Sequence, residues 1–210
     1  MTQRRKGQAG FSLMELMVAL GVTLVVMTVA GQILAMSFKV RTRENQRSEA
    51  IADAQRSLQL MTRDISNAGL GLSTNGLADD DPDEDVFGEI RVRSNLHAFT
   101  ETAADTSDAD EDVVYSLVAN GNVNPPQSLI TRQDVNTGQI AQIANRVDAL
   151  QFTFLKADGT ASTVAAAEKV RITVTVTLPA VGTAGSEGYQ PASRMQLVSE
   201  ATLRNKLLAD

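Results

Sequence analysis

The feature that constrains this chain most is an uninterrupted apolar stretch near its start. Phe11–Phe38 contains 28 residues, of which 20 are apolar, Glu15 is the only charged one and none is proline. About 20 apolar residues suffice for a helix to cross the hydrocarbon core of a bilayer. A secretory signal peptide has a shorter apolar core that ends at a small-residue cleavage site, and no such site lies cleanly beyond this stretch. The stretch therefore predicts a transmembrane helix, which a short basic segment, Met1–Gly10, precedes.

Glu15 is the anomaly within this stretch, because it lies only four residues from its start. An ionised carboxylate in hydrocarbon is costly unless a cation pairs with it. A lone carboxylate in a membrane span therefore suggests a functional role with a partner. The alternative is that Glu15 lies close enough to the headgroups for its side chain to reach water.

The helix predicted for the apolar stretch continues well beyond it. No glycine occurs between Gly31 and Gly69, and the first proline is Pro82. Apolar residues then recur at spacings of three and four, which indicates one face of a helix. The members of this apolar seam are Ile51, Ala54, Leu58, Met61, Ile65 and Ala68. The opposite face is polar and includes Arg43, Glu49, Gln55, Arg56 and Arg63. Gly69 is a natural C-terminal cap, so we predict one helix over Phe11–Asn67 whose seam packs against the protein's own globular part rather than a second copy.

The second half of the chain alternates apolar and polar residues, as β-strands do. The clearest strand covers Val170–Leu178, and Leu150–Phe154 alternates in the same way before an Asp158-Gly159 turn. The weaker candidates are Val113–Val118, Leu129–Arg132 and Gln196–Leu203. A loop over Gly182–Pro191 separates the last two strands. We therefore predict an α+β fold, in which a long N-terminal α-helix packs with its seam on an antiparallel β-sheet head.

Negative charge is concentrated in one part of the head. The chain has a net charge of −6, and residues 79–112 contain 13 acidic residues against two arginines. This composition predicts a mobile, solvated acidic loop at about residues 73–112. Two aspartate triplets within it, Asp81-x-Asp83-x-Asp85 and Asp108-x-Asp110-x-Asp112, resemble the start of a calcium loop. Neither has the glycine and glutamate that such a loop needs at its sixth and twelfth positions, so calcium is the less favoured interpretation.

The residues offer little support for other chemistry. The chain has no cysteine, which excludes disulfides, zinc ribbons and thiol catalysis. Its single histidine, His97, cannot form a zinc-binding pair, and we expect it to be a surface residue. Neither the G-x-S-x-G motif of hydrolases nor the P-loop of ATPases occurs, and no basic-aromatic cluster suggests nucleic-acid binding. We therefore expect no enzymatic activity, no resident metal and no cofactor.

The start of the apolar stretch resembles the signal of type IV prepilins. The matching residues are Gly10-Phe11-Ser12-Leu13-Met14-Glu15-Leu16, after a short basic leader. The resemblance implies that a membrane-bound prepilin peptidase cuts between Gly10 and Phe11 and methylates the new amino group of Phe11. It also implies a partner for Glu15, namely the N-terminal ammonium of Phe11 in an adjacent subunit. A buried carboxylate and a buried ammonium offset each other's desolvation cost only when they pair, so this contact would set the register of subunits in a filament.

Later residues resemble those of PilW-type minor pilins. The segment Leu60–Gly71, LMTRDISNAGLG, is similar to the end of the long helix in that family, and the strand order is similar too. Many major pilins have a proline within the span and a C-terminal cysteine pair. Both are missing here, which suits a minor pilin. The nearest rival is the minor pseudopilin J of type II secretion systems, which shares this layout.

The resemblance divides the chain into four parts. They are a leader (1–10), a transmembrane and assembly half-helix (11–38), an amphipathic half-helix (39–68) and a β-rich head (69–210). It implies a single-pass inner-membrane protein with a periplasmic head, which reaches the pilus and the cell surface on assembly. The expected role is structural, priming or capping the filament, and the expected partners are other pilin subunits, prepilin peptidase and the inner-membrane assembly platform. The alternative from another functional class is a membrane-anchored periplasmic module that binds DNA, calcium or a surface ligand; the acidic head disfavours nucleic acid.

Overall fold

The fold consists of one long helix and one antiparallel sheet. The computed structural model describes residues 11–78, 88–100, 105–120, 127–178, 180–186 and 188–205. The helix is α1 (Leu13–Asn67). The strands are β1 (Leu77–Ala78), β2 (Glu89–Arg93), β3 (Asp112–Asn120), β4 (Gln127–Asp134), β5 (Ile140–Leu155), β6 (Lys169–Leu178) and β7 (Ser193–Thr202). A single 3₁₀ turn, Val164–Ala166, lies between β5 and β6. The predicted α+β fold, a long N-terminal helix packed on an antiparallel sheet, is confirmed.

Both ends of α1 are satisfied by polar groups. Ser12 is the N-cap, and its hydroxyl accepts a hydrogen bond from the backbone N–H of Met14 at 3.3 Å. The helix therefore begins two residues later than the predicted start at Phe11. At the other end the side-chain amide of Asn205 donates to the carbonyls of Asn67 and Ala68, both at 3.1 Å. These bonds satisfy carbonyls that a helix end leaves without partners, so the C-terminal segment of the chain closes the helix.

The sheet is a seven-stranded meander in which every strand pairs with its neighbours in sequence, in the order β1 to β7. The 16-residue strand β5 connects the two halves of the sheet. The first half of β5 pairs with β4, and the second half of β5 pairs with β6. The register shifts between Val147 and Ala149, just after Arg146, whose φ is +59°. An irregularity of this kind bends a strand and increases its twist. The sheet therefore curls, and α1 lies against β5, β6 and β7.

The apolar seam of α1 forms one side of the core, as predicted. Ala54, Leu58, Met61, Ile65 and Ala68 are all buried, while Ile51 is only half-buried. On the sheet, the apolar residues of β6 are buried; these are Val170, Ile172, Val174, Val176 and Leu178. The apolar face of the helix, which recurs every three to four residues, therefore packs against the apolar face of the strand, which recurs every two, in one core cluster.

The prediction that Arg43 lies on the exposed polar face of the helix is wrong. Arg43 is only 8% exposed, and its Nη2 donates to the carbonyl of Pro191 at 2.5 Å. It lies seven residues before Ala50 and eleven before Ala54, spacings that place all three on one face. The buried face of α1 therefore extends further toward the membrane half than the apolar seam indicates.

The prediction of an acidic loop over residues 73–112 is also wrong in part. The segment contains β1 and β2, and in β2 the side chains of Ile90 and Val92 are buried while their neighbours are half-buried. The alternation of Glu89–Arg93 is short, and the many surrounding acids conceal it when charge is averaged over a wide window. Residues 79–87 and 101–104 lie outside the described residues, as does the leader 1–10 with Gly10.

Candidate functional site

The first half of α1 presents an apolar surface on all sides. Every large apolar side chain from Phe11 to Leu34 is at least half exposed, from 84% at Phe11 to 50% at Val29. The most apolar 18-residue window has a mean hydropathy of 2.2, and none of that window is buried in the protein. By length and composition α1 can cross a membrane. Soluble monomers rarely expose so large an apolar surface, and this one is consistent with membrane anchoring.

The polar side chains of this half are turned onto their own helix. The hydroxyls of Thr23, Thr28 and Ser37 donate to the carbonyls four residues earlier, at 2.7, 2.8 and 2.9 Å. Each such bond satisfies a donor that hydrocarbon could not satisfy. The serine and threonine residues of the span are therefore compatible with an apolar environment.

Phe11 and Glu15 lie at the start of α1, on either side of the N-cap Ser12. Phe11 is 84% exposed, and Glu15 is an exposed residue in the first turn. Over the described part of the chain no cation lies within ion-pairing distance of Glu15. The positive end of the helix dipole favours a carboxylate here, but this interaction stabilises the carboxylate less than a full ion pair does. Gly10 and the basic residues of the leader lie outside the described residues.

At the opposite end of α1, a network of charged and polar groups joins the helix to the sheet. The phenol of Tyr115 in β3 donates to Oδ2 of Asp64 in α1 at 2.6 Å. Arg132 in β4 donates from Nε to the same oxygen at 3.2 Å, and its Nη1 pairs with Oδ1 of Asp110 at 2.8 Å. Burial, reinforced by the Asp64 carboxylate, raises the pKa of Tyr115 far above its ordinary value. The tyrosine therefore stays protonated and donates to the helix.

A second cluster organises the acidic corner of the head. The carboxylate of Glu111 is fully buried, and it accepts backbone N–H bonds from Leu96 at 2.6 Å and Asp108 at 3.2 Å. The ring Nδ1 of His97 lies 3.3 Å from both Glu111 Oε1 and Asp108 Oδ2. His97 is half exposed, as expected of a surface residue, but it is part of a cluster that the sequence did not predict. His97, Asp108 and Glu111 could together hold a metal ion by proximity, yet both oxygens of Glu111 already accept hydrogen bonds that hold the turn.

The second aspartate triplet does not form a calcium loop. Asp108 faces His97, Asp110 pairs with Arg132, and Asp112 forms a two-point ion pair with Arg91 at 2.7 Å for each oxygen. A calcium site needs its oxygens to converge on one point. These three carboxylates have separate partners, and the sequence could not reveal that because the partners come from distant parts of the chain. The first triplet, residues 81–85, lies outside the described residues.

A groove of about 520 Å³ lies between α1 and the sheet, close to the Tyr115 network. Leu60 and Ile143 give it apolar walls, while Arg63, Asp110 and Arg132 give it charged ones. Pockets of 300 to 1,000 Å³, by common estimate, are large enough for small ligands. The groove has opposite charges side by side, so it does not favour a ligand of one charge.

A comparison with known protein families matches the start of the chain, including the first part of α1. Residues 5–31 match the prokaryotic N-terminal methylation motif, the signal of type IV pilins and pseudopilins. The match includes Gly10, Phe11 and Glu15, together with most of the apolar half of the helix. No curated protein matches the chain. The motif supports a protein that is like a type IV pilin or pseudopilin, and it implies in general that a peptidase processes the chain and that it assembles with other pilins.

Proposed function

We propose that this chain is a structural minor pilin of a type IV pilus, of the PilW type, which primes or caps the filament. In this proposal prepilin peptidase cuts after Gly10 and methylates Phe11, and the protein then assembles without covalent bonds. The observation that carries the proposal is the division of α1. Its first half exposes every large apolar side chain as far as Leu34, while its second half supplies the helical part of the core of the head. A helix divided in this way anchors a folded head to a bundle of other helices or to a bilayer.

Each part of the chain has one task in this mechanism. Before assembly the apolar half spans the inner membrane and the head lies in the periplasm, where the assembly platform recruits the subunit. In the filament the same half packs among the helices of other pilin subunits, and the head faces outward at the cell surface. Head-to-tail contacts of this kind do not close, so they generate an open helical filament. Glu15 pairs with the N-terminal ammonium of Phe11 in the adjacent subunit, and this pair sets the register. No catalytic step is required of the chain.

The pseudopilin J of a type II secretion system remains the second candidate, because pilins and pseudopilins share the matched motif. Deleting the gene in the parent organism separates the two roles. Loss of surface pili with normal protein secretion supports the minor pilin, and the reverse result supports the pseudopilin. A membrane-anchored periplasmic binding module is the third candidate, with the groove beside Arg132 as its site. It predicts that the deletion leaves both pili and secretion intact.

The role of Glu15 is tested by Glu15→Ala in the organism that makes the protein. We expect the variant to insert into the membrane and to lose its leader, because neither step needs the carboxylate. We expect it to be missing from sheared pili, because the ammonium of the adjacent subunit then has no partner. Glu49→Ala is the matched control, since Glu49 is an exposed glutamate in the amphipathic half of the same helix. Immunoblots of membrane and pilus fractions measure both steps, and an uncut chain runs heavier by the ten leader residues.

The two variants together decide the proposal. Incorporation of Glu15→Ala into pili at the level of Glu49→Ala would refute the pairing of Glu15 with a neighbouring ammonium. Failure of both variants to appear in pili, with both stable in the membrane, would instead place the assembly determinant in the amphipathic half.

A further inference from the structure

The loop between β6 and β7 reaches back along α1 to the membrane half. This β6–β7 loop is described over residues 180–186 and 188–191. Val181 and Gln190 pair through two backbone bonds of 2.9 Å, so the loop has a defined shape. Its residues approach α1 at two places: Pro191 accepts the hydrogen bond from Arg43, and Gly188 lies beside the half-buried Met36, whose Cγ would be 3.6 Å from a Cβ built on that glycine. The loop therefore covers the helix around residues 36–43, far from the core of the head.

The position of Met36 locates this loop relative to a bilayer. The apolar stretch from Phe11 to Phe38 has 28 residues and, at 1.5 Å per residue, extends over about 42 Å. A bilayer with its headgroups is about 40–45 Å thick, so Phe38 lies near the outer limit of the headgroup layer. Met36 lies within that layer. A loop in contact with Met36 is thus at the depth of the headgroups, rather than above the membrane on a stalk.

The charges around the loop favour an anionic surface. Lys39, Arg41 and Arg47 are exposed on this part of the helix, against the single exposed acid Glu44. Arg43 is buried, and its Nη1 has no hydrogen-bond partner. Within the parts of the chain that the structure describes, no carboxylate lies within ion-pairing distance of Arg43; the position of Glu187, the one acid of the loop, is outside them. The three exposed cations, spread over about 12 Å of the helix, attract anionic lipid headgroups.

The aromatic residue of the loop suits the same surroundings. Tyr189 is 36% exposed, and it is one of only two tyrosines in the chain. Tyrosine is enriched at the membrane–water interface, because its ring is apolar and its hydroxyl can remain hydrated. The remaining residues of the loop are mostly small, which lets its backbone approach the helix closely.

We propose that the β6–β7 loop and the basic segment Lys39–Arg47 together bind the anionic phospholipid headgroups of the membrane in which the helix is anchored. Tyr189 lies in the interfacial layer, and the head rests on the membrane surface before assembly. The inference rests on the membrane anchoring that is part of the proposed function. It adds to that function a second contact with lipid, made by the head, which has to be released when the subunit leaves the membrane.

A single tryptophan measures the depth of the loop, because the chain has none of its own. The full chain with Tyr189→Trp is reconstituted in vesicles that contain phosphatidylglycerol and lipids brominated near the headgroup or deep in the acyl chains. We expect emission at shorter wavelength than in water and loss of intensity with the shallow bromines. Phe99→Trp is the matched control: Phe99 is 90% exposed, and its turn lies against Gly71, beyond the far end of α1. We expect this tryptophan to be unquenched.

Equal emission of the two tryptophans in chains that float with the vesicles would overturn the inference while leaving the anchoring intact. Failure of the chain to float with vesicles at all would overturn both. The charge requirement is tested with Lys39→Gln/Arg41→Gln, which we expect to abolish the difference in quenching between phosphatidylglycerol and phosphatidylcholine vesicles. Arg56→Gln, further along the exposed face, should retain that difference. Equal quenching of the parent Tyr189→Trp chain in phosphatidylglycerol and phosphatidylcholine vesicles would also refute the binding of anionic headgroups. The loop would then contact only protein.

Discussion

Replacing Tyr115 by phenylalanine tests whether the polar network holds the long helix on the sheet. The ring of Tyr115 is fully buried, so the substitution keeps the packing and removes only the hydroxyl. That hydroxyl donates to Asp64 at 2.6 Å, a bond between a neutral donor and a carboxylate. Asp64 retains Arg132 and Arg63 as partners, which limits the damage. A hydrogen bond to a charged group contributes about 1.5–3 kcal/mol, so we expect the free energy of unfolding to fall by that amount.

The assay is thermal unfolding of the full chain in mild detergent, measured by calorimetry. For a protein of this size the midpoint falls by about 2–4 °C for each kcal/mol, which gives about 3–12 °C for Tyr115→Phe. Tyr189→Phe is the matched control, because it makes the same chemical change at an exposed site without a partner for its hydroxyl among the described residues. Equal stability of the two variants would refute the view that this bond holds the helix on the sheet.

The pH dependence of the same variants provides a second measurement. The pKa of Tyr115 is raised in the folded protein, chiefly by burial, from an ordinary value of about 10. The unfolded chain therefore releases this proton above about pH 10 while the folded chain retains it. The stability from this tyrosine is fully present below about pH 10 and is lost as the pH rises further. We expect the advantage of the parent chain over Tyr115→Phe to shrink as the pH rises from about 10 to 11; an advantage that stays constant would contradict the raised pKa.

Two further pairs of variants test the backbone and the division of the helix. Gly76 and Gly138 both have φ near +70°, but a Cβ would collide with neighbouring backbone only at Gly76. We expect Gly138→Ala to cost about 1–2 kcal/mol of unfolding free energy and Gly76→Ala clearly more, and equal midpoints would contradict this. Leu58 is 6% exposed and Leu34 is 57% exposed in the same helix. We expect Leu58→Ala to lower the unfolding free energy by about 2–5 kcal/mol and Leu34→Ala to leave the melting of the head unchanged; a comparable loss from Leu34→Ala would show that the apolar half has a partner within the chain.

The elements that the sequence predicted best are those with a long, regular period. The apolar stretch, the seam ending at Ala68 and the strand Val170–Leu178 each repeat one pattern over many residues, and the structure has the helix and strand where those patterns place them. Short or irregular elements were missed. The strand Glu89–Arg93 alternates over only five residues among many acids, and the first half of β5 carries a bulge that interrupts its alternation.

The sequence could not predict contacts between residues that are far apart in the chain. Asp64 and Tyr115 are 51 residues apart, and the hydrogen bond that joins them depends on how the helix crosses the sheet. Arg43 was assigned to the polar face because arginine is ordinarily exposed, yet a loop that follows β6 covers it. By contrast, the segment around Gly10, Phe11 and Glu15 could be interpreted without the fold, because its residues are adjacent and its chemistry is local.

In the proposed function, the separation of the two halves of α1 lets one fold serve in two environments. The core of the head uses the helix only from Ala50 onward, and the contacts of Met36 and Arg43 with the β6–β7 loop are the nearest ones to the membrane half. Among the described residues, 11–35 make no buried contact with the head, so we expect that what surrounds them can change without unfolding it. In the proposed function, lipid tails and neighbouring apolar helices solvate this surface about equally well, so we expect packing and the pairing of Glu15, rather than a hydrophobic driving force, to favour the filament over the membrane. In that proposal the single carboxylate of the otherwise apolar half-helix makes the choice depend on the neighbouring subunit.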